Sequence, residues 1–243
     1  MRYTSRELKS RARDILLGKY LFVIGALLLS NLISYGISVL AAYAQPSGHS
    51  ILASFISLLC AVITLLLIMI LSTGSLYLYL NISRKRDCRL SDIFYAFSHH
   101  PDRIIILSIL LFLISTVCMI PFFILFFFFA FPAGLHTSFL GNPFFLFLAA
   151  LLCTVLAVSI LLNYVPVFYL YVDDPEKPAL TLLRESRRLM YGNRFRYFRL
   201  QLSFLGMGLL AVLSLGIGLL WIIPYVSVTN AYFYQNLLEN DNQ

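Results

Sequence analysis

Long apolar segments alternate with short polar segments along the chain. Four apolar segments cover residues 20–44, 51–80, 104–131 and 144–171, and an uncharged stretch follows from 200 to 238. A helix needs about 20 mostly apolar residues to cross a bilayer, and each of the first four segments is longer than that. The pattern therefore predicts an all-α, polytopic membrane protein in which residues 1–243 form a single membrane domain.

The uncharged C-terminal stretch is too long for one crossing. As a single helix it would measure about 58 Å at 1.5 Å per residue, nearly twice the ~30 Å hydrocarbon core. The chain either crosses once and then lies in the interface from Pro224, which gives five transmembrane helices, or turns near residues 214–218. In the second case it crosses twice, over 195–213 and 219–238, which gives six.

Small residues mark where the predicted helices can approach each other closely. They recur at every fourth position of the first helix, at Ala26, Ser30, Ser34 and Ser38. This spacing puts them on one face, where a neighbouring helix can pack; a polar path through the bilayer is the alternative. In the C-terminal stretch the turn and the helix packing are assigned to Gly216, Gly218 and Pro224.

The basic residues predict which side of the membrane each segment faces. The chain is 60% hydrophobic and only 12% charged, with a net charge of +7. All eighteen Lys and Arg residues lie in 1–19, 81–103 and 172–199, whereas the connections at 45–50 and 132–143 contain none. Because basic loops stay in the cytoplasm, the N-terminus and the three basic segments are predicted to be cytoplasmic. The positive charge then follows from topology and anionic lipid, not from nucleic acid.

Two basic segments have the pattern of amphipathic helices in the membrane interface. Residues 1–19 begin with a capping box formed by Thr4 and Glu7. In 172–194, Asp173 and Asp174 are predicted to lie where the second helix begins. The residues expected to contact anionic lipid headgroups are Arg6, Lys9 and Arg13 in the first segment and Arg184, Arg187 and Arg188 in the second.

The sequence offers no set of residues for catalysis or metal binding. Its cysteines, Cys60, Cys88, Cys118 and Cys153, form no CxxC pair, and three of them lie in apolar segments. An enzyme needs a nucleophile with a base, paired carboxylates or metal ligands. We therefore expect no catalytic residue, no cofactor and no metal ion.

Short motifs along the chain are similar to those of a known family. They are Glu7-Leu8-Lys9, Gly18-Lys19-Tyr20, Arg89-Leu90-Ser91-Asp92-Ile93-Phe94, Leu202-Ser203-Phe204-Leu205-Gly206, Gly216-Ile217-Gly218 and Ala231-Tyr232-Phe233-Tyr234. In these motifs the chain resembles the bacterial membrane proteins that carry the domain-of-unknown-function label nine-seven-five. The resemblance implies six transmembrane helices in a bacterial cytoplasmic membrane, and it implies no catalytic residue.

Two functions remain once an enzyme is set aside. An accessory, scaffold or regulatory membrane protein demands least of the sequence, because it acts through helix packing and a basic cytoplasmic face. Its partners would be the lipid bilayer with its anionic headgroups and either another membrane protein or a second copy of the chain. A transporter or channel for a lipid or a small neutral solute is the alternative. Coupling through a buried carboxylate is excluded, because no Asp or Glu lies within the predicted helices.

Overall fold

The computed structural model describes residues 3–46, 50–130 and 143–241, which form helices joined by turns. The α-helices are α1 (Ser5–Leu16), α2 (Tyr20–Tyr43), α3 (Ile51–Ser83), α4 (Tyr95–Ser98), α5 (Pro101–Ala130), α6 (Pro143–Leu161), α7 (Val167–Asp173), α8 (Ala179–Met190), α9 (Arg194–Leu202), α10 (Leu205–Leu213) and α11 (Leu219–Asp241). Two 3-10 helices, Leu90–Phe94 and Leu162–Tyr164, lie before α4 and α7. These residues contain no β-strand, which confirms the all-α prediction.

Four stretches of helix are long and apolar enough to cross a membrane. They are Tyr20–Tyr43, Ile51–Ser83, Pro101–Ile124 and Phe147–Asp173, with mean hydropathies between 1.9 and 2.9. At most 17% of the most apolar window of any of them is buried inside the protein. Apolar surface of this extent needs lipid around it, so the described helices are those of a membrane-embedded protein. Within the described residues four such helices are established and a count of six is not confirmed, because α9 and α10 have nine residues each.

The fourth of these stretches is broken near its end. Helix α6 ends at Leu161, a 3-10 turn follows, and Pro166 caps the start of α7. A proline has no N–H for the helical hydrogen bond and its ring crowds the preceding turn, so the helix cannot continue straight through Pro166.

The hydrophobic core lies at one end of the long helices, where the short helices pack. Its buried side chains include Leu8, Ala12 and Leu16 of α1, Leu182, Leu183 and Met190 of α8, and Phe233, Tyr234 and Leu237 of α11. They pack against the last turns of α3, against α7 and against the first turns of α5. Because α1, α8 and the connection after α3 also carry many of the basic residues, this region is called the basic end below.

Helix α8 differs from its prediction in where it begins. Its first residue is Ala179, capped by Pro178, whereas Asp173 is the last residue of α7. The prediction of a helix start at Asp173 and Asp174 is therefore wrong. A carboxylate suits a helix start in general, but here Asp173 is held by an arginine from α3, as described below.

The C-terminal stretch folds as a helical hairpin. Ser203 and Phe204 separate α9 from α10, and residues 214–218 turn the chain back into α11. Leu215 and Gly216 adopt positive φ angles of 52° and 88° in this turn. Each amide of the turn donates within the hairpin: Ser214 to Leu210 O, Leu215 to Val212 O, Gly216 to Ala211 O, Ile217 to Ser214 O and Gly218 to Ser214 Oγ. The turn therefore needs no water to satisfy its backbone N–H groups.

Candidate functional site

An ion pair joins the end of α3 to the end of α7 at the basic end. Arg84, just after α3, donates two hydrogen bonds to the Asp173 carboxylate, at 2.6 and 2.8 Å. The Tyr234 hydroxyl of α11 donates a third to Asp173 Oδ2, at 2.7 Å. The charged side chains are only 23% and 24% exposed, and the hydrogen bonds to Asp173 raise the pKa of the Arg84 guanidinium. This Arg84 cluster fixes α3, α7 and α11 relative to one another.

A second polar cluster joins the two ends of the chain. The Tyr3 amide donates to Asn236 Oδ1 at 3.2 Å. Arg196 of α9 donates to Tyr3 O at 2.7 Å and also to Asn236 Oδ1. One residue earlier in α11, Gln235 donates to Ser83 Oγ at 2.5 Å. The last turns of α11 therefore bind the N-terminal segment, α3 and α9 at once.

Helix α1 is placed by its cap and by its apolar face. Thr4 and Glu7 exchange the two hydrogen bonds of the predicted capping box. These bonds lower the pKa of the Glu7 carboxyl. Lys9 turns inward, where its ammonium donates to Ser203 O at 2.8 Å and lies 4.2 Å from the centre of the Phe204 ring. Partial burial lowers the pKa of Lys9, because the charged form loses hydration there.

Two open clefts at the basic end are lined by cations. The first has a volume of about 670 Å³ and is lined by Arg11, Asp14, Ile15, Lys19, Ser83, Arg84, Lys85 and Tyr232. The second has a volume of about 620 Å³ and is lined by Tyr3, Thr4, Ser5, Arg6, Gly192, Asn193, Phe195, Arg196, Arg199 and Ser203. In chemical terms both clefts can hold an anion, and only the first contains a carboxylate.

The residues predicted to contact lipid headgroups do not form one surface. Arg6 lines the second cleft and Lys9 faces the protein, while Arg13 is exposed near Asp14. On α8, Arg184 and Arg187 are exposed, and Arg188 pairs with Asp241 at 2.6 Å. The apolar faces of α1 and α8 are buried in the protein, so neither helix can place that face in lipid.

The small residues predicted to pack helices lie in several environments. Ala26 is buried, and the Ser30 hydroxyl accepts a hydrogen bond from Ser75 of α3 at 3.0 Å. Ser34 and Ser38 donate to backbone carbonyls one turn earlier in their own helix. Gly216 and Gly218 lie in the turn of the hairpin, and Pro224 is buried in α11.

Sequence reasoning missed both polar clusters. One signal was present, because Arg84 and Asp173 each follow a long apolar segment and begin a basic one. Charges at the same membrane depth can pair, but the sequence does not show which helices are neighbours. Within the described ranges, no group of three or more His, Cys, Asp or Glu residues could hold a metal ion. The clusters hold the helices together through hydrogen bonds and one ion pair.

Comparison with known proteins identifies one family. A family model described as "Protein of unknown function (DUF975)" matches residues 1–241. The chain has no match among curated proteins and none among solved structures.

Proposed function

The chain belongs to the DUF975 family of proteins of unknown function, and we propose that it is an accessory, scaffold or regulatory protein of the bacterial cytoplasmic membrane. In this role it presents a fixed basic surface to anionic headgroups and to a second membrane protein. Its partners are bound at the basic end, while the exposed apolar helices keep the protein in the bilayer.

The observation that carries this proposal is the placement of α8. Its apolar face, with Leu182, Leu183 and Met190, is buried against the chain's own helices. The opposite face exposes Arg184 and Arg187 together with Leu180. A helix that only anchored the protein would put its apolar face into lipid. Because that face is already covered, the basic face is free to act as a contact surface.

The rigidity of the basic end supports a scaffold role. The Arg84 cluster and the Tyr3–Arg196–Asn236 contacts join elements from both ends of the chain. Bidentate, partly buried pairs of this kind fix geometry as well as contributing energy. A surface held in this way costs less conformational entropy when a partner binds than a mobile one does.

The membrane arrangement that goes with this proposal has both termini in the cytoplasm. Basic segments stay inside the cell, and the end of α11 packs on α1. Tyr3 and Asp241, near the two ends of the chain, therefore lie at the same end of the long helices, which favours an even number of crossings over five.

Distances along the helices favour a hairpin that turns within the bilayer. Gln235 of α11 is bonded to Ser83 at the end of α3, and the two helices pack together. The length of α3 from Ser83 to its first residue, Ile51, is about 48 Å, whereas the length of α11 from Gln235 to its first residue, Leu219, is only about 24 Å. The turn then lies about half-way along α3. Four crossings with a C-terminal hairpin that enters and leaves on the cytoplasmic side fit these lengths better than six full crossings.

Site-specific photo-crosslinking in cells tests the proposed role. A photo-reactive amino acid at Leu180, which is 67% exposed on α8, should give a protein adduct of reproducible mass. The same residue at Leu209, equally exposed on α10, is the matched control and should label lipid only. The adduct at position 180 should be lost in the Arg184→Gln, Arg187→Gln double variant.

A different pair of results would contradict the accessory role. If position 180 gives no adduct and the purified protein makes lipid vesicles selectively permeable to a small neutral solute or scrambles their lipid, the chain is a transporter and the accessory role is wrong.

A further inference from the structure

A groove with one described cation, Arg194, runs between α6 and α9. Its volume is about 440 Å³, and it is lined by Thr154, Val155, Val158, Ser159, Leu162, Arg194, Phe195 and Phe198. The side that α6 contributes is mainly aliphatic, and the side that α9 contributes is aromatic apart from Arg194. The groove is therefore amphipathic along its length.

Arg194 is the only described cation in this groove, and part of its guanidinium lacks an acceptor. The Nε atom is buried without a hydrogen-bond partner among the described residues. A guanidinium stays charged at any pH at which the protein is folded, and a buried N–H without an acceptor is unfavourable. The terminal N–H groups of Arg194 are not among the buried atoms, so an anionic group in the groove would pair with that end of the guanidinium.

The walls offer Arg194 no such acceptor. No carboxylate of the described residues lines the groove. The hydroxyls of Thr154 and Ser159 donate to carbonyls of their own helix, Ala150 O and Val155 O, both at 2.8 Å. The rest of this wall is Val155 and Val158 of α6 and Leu162 of the following 3-10 helix, and such a surface suits a hydrocarbon chain.

The position of the groove connects lipid with the basic end. Phe195 lines both this groove and the second basic cleft, which contains Arg6 and Arg199. From Leu162 towards Thr154 the groove follows α6 away from the basic end, and Val155 and Phe198 are exposed there. A positive region at the headgroup level thus continues into an apolar channel along a membrane helix.

We infer that the α6–α9 groove binds one anionic phospholipid, with its phosphate on Arg194 and an acyl chain along Val155 and Val158. The inference rests on the proposed membrane embedding, because the groove must open to lipid. A soluble phosphate compound would use Arg194 but leave the apolar wall uncovered. The first basic cleft is a poorer lipid site, because it contains Asp14 and has no comparable apolar wall.

Native mass spectrometry of the full chain in detergent tests the site. Phosphatidylglycerol is the anionic probe, phosphatidylcholine the zwitterionic one and glycerol phosphate the soluble one. The wild-type protein should retain one phosphatidylglycerol in preference to phosphatidylcholine. Arg194→Gln should weaken that retention about tenfold or more, because a charge-assisted bond is lost. Arg194→Lys should restore part of it, and Arg86→Gln, at an exposed arginine after α3, is the matched control that should leave it unchanged.

A second variant tests the apolar half of the groove. Val158→Trp fills the channel while leaving Arg194 in place, and Val158 is exposed enough to accept a larger side chain. It should also reduce phosphatidylglycerol retention. If glycerol phosphate displaces the lipid and Val158→Trp has no effect, the site recognises a soluble phosphate and the inference is overturned.

The failure of the inference can be told apart from that of the proposed function. Equal lipid retention by wild type and Arg194→Gln, with both proteins resistant to extraction from membranes by carbonate, overturns the lipid site alone. Release of the wild-type chain by carbonate overturns the embedding and the lipid site together.

Discussion

At Gly74 two elements approach each other closely. A Cβ atom built at Gly74 of α3 would lie 1.7 Å from the carbonyl oxygen of Ile93, in the 3-10 helix at Leu90–Phe94. That distance is far below van der Waals contact, and the obstacle is backbone that cannot rotate away. The packing of this 3-10 helix, with the buried Ile93, therefore depends on the absence of a side chain at position 74.

The substitution Gly74→Ala should destabilise the protein by about 2 kcal/mol or more, because overpacking forces the backbone to shift. Gly25 is the matched control: it lies inside α2 and has nothing within 4 Å of the corresponding Cβ position. Gly25→Ala should be neutral or stabilising by up to about 1 kcal/mol. The free energy of unfolding in detergent measures both. Equal effects of the two substitutions would show that the 3-10 helix does not pack against α3.

The Arg84 cluster allows a double-mutant cycle. Arg84→Gln and Asp173→Asn should each cost about 1–3 kcal/mol, because each leaves a partly buried charge without its partner. The double variant should cost less than the two together, with a coupling energy of about 1 kcal/mol or more.

The Arg188–Asp241 pair is the internal reference for this cycle. It has the same N–O distance of 2.6 Å, but the Arg188 side chain is 67% exposed. Its coupling should therefore stay below about 1 kcal/mol. A coupling at Arg84–Asp173 no larger than at Arg188–Asp241 would mean that burial does not strengthen the first pair.

At the scale of elements, periodicity in the sequence predicted where helices form better than it predicted what their apolar faces pack against. Residues 1–19 have the pattern of an amphipathic helix, and α1 buries one face, with Leu8, Ala12 and Leu16. The pattern says that the face must be buried, but a protein core and the interior of a lipid bilayer satisfy it equally well. In the structure the faces of α1 and α8 are both buried by the protein.

The two interruptions of the helix in the C-terminal hairpin are less clearly indicated by the sequence than the apolar face of α1. The uncharged run from 200 to 238 contains Gly216 and Gly218, which indicated the turn. The interruption at Ser203 and Phe204 had no comparable signal, because neither residue excludes a helix. It depends on tertiary contacts, as Lys9 of α1 donates to Ser203 O and lies over the Phe204 ring.

Burial of the apolar face of α1 gives a prediction about its docking. Leu8 is 1% exposed, so Leu8→Asp would put an unpaired charge into the core at the basic end and should release α1. Limited trypsin digestion of the detergent-solubilised protein should then cut at Arg6, Lys9, Arg11 or Arg13 much faster than in the wild type.

Ser10→Asp is the control for this substitution. It adds the same charge on the exposed side of the same helix and should leave cleavage near the wild-type rate. If Leu8→Asp is also cleaved at the wild-type rate, α1 does not need its apolar face to stay docked.

At the scale of the whole molecule, charge distribution and packing constrain the topology in different ways. The positive-inside pattern orients the segments that carry Lys or Arg, but it gives no information on 200–238, which has none. Packing supplies that information, because α11 ends against α1 and is bonded to the C-terminal end of α3. A single sequence contains no record of such pairings. Its length and hydropathy alone therefore left five and six helices open.

Cysteine accessibility in intact cells separates the remaining arrangements. In a background with Cys60, Cys88, Cys118 and Cys153 changed to Ser, single cysteines are placed at Gln45, Lys85, Leu215 and Asp241. Gln45→Cys, in the first connection, should react with a membrane-impermeant maleimide added outside. Lys85→Cys and Asp241→Cys should react only after the cells are permeabilised. Labelling of Asp241→Cys from outside would mean an odd number of crossings.

Leu215→Cys tests the prediction that the hairpin turns within the bilayer. Leu215 is at the tip of the turn, and its side chain is 93% exposed. A tip in the hydrocarbon core should stay unlabelled both before and after permeabilisation, because a thiol there is neither ionised nor reached by a polar reagent. The turn can lie in the hydrocarbon core because its backbone N–H groups are hydrogen-bonded within the hairpin. Six full crossings would instead expose the tip outside the cell, and Leu215→Cys would then be labelled as fast as Gln45→Cys.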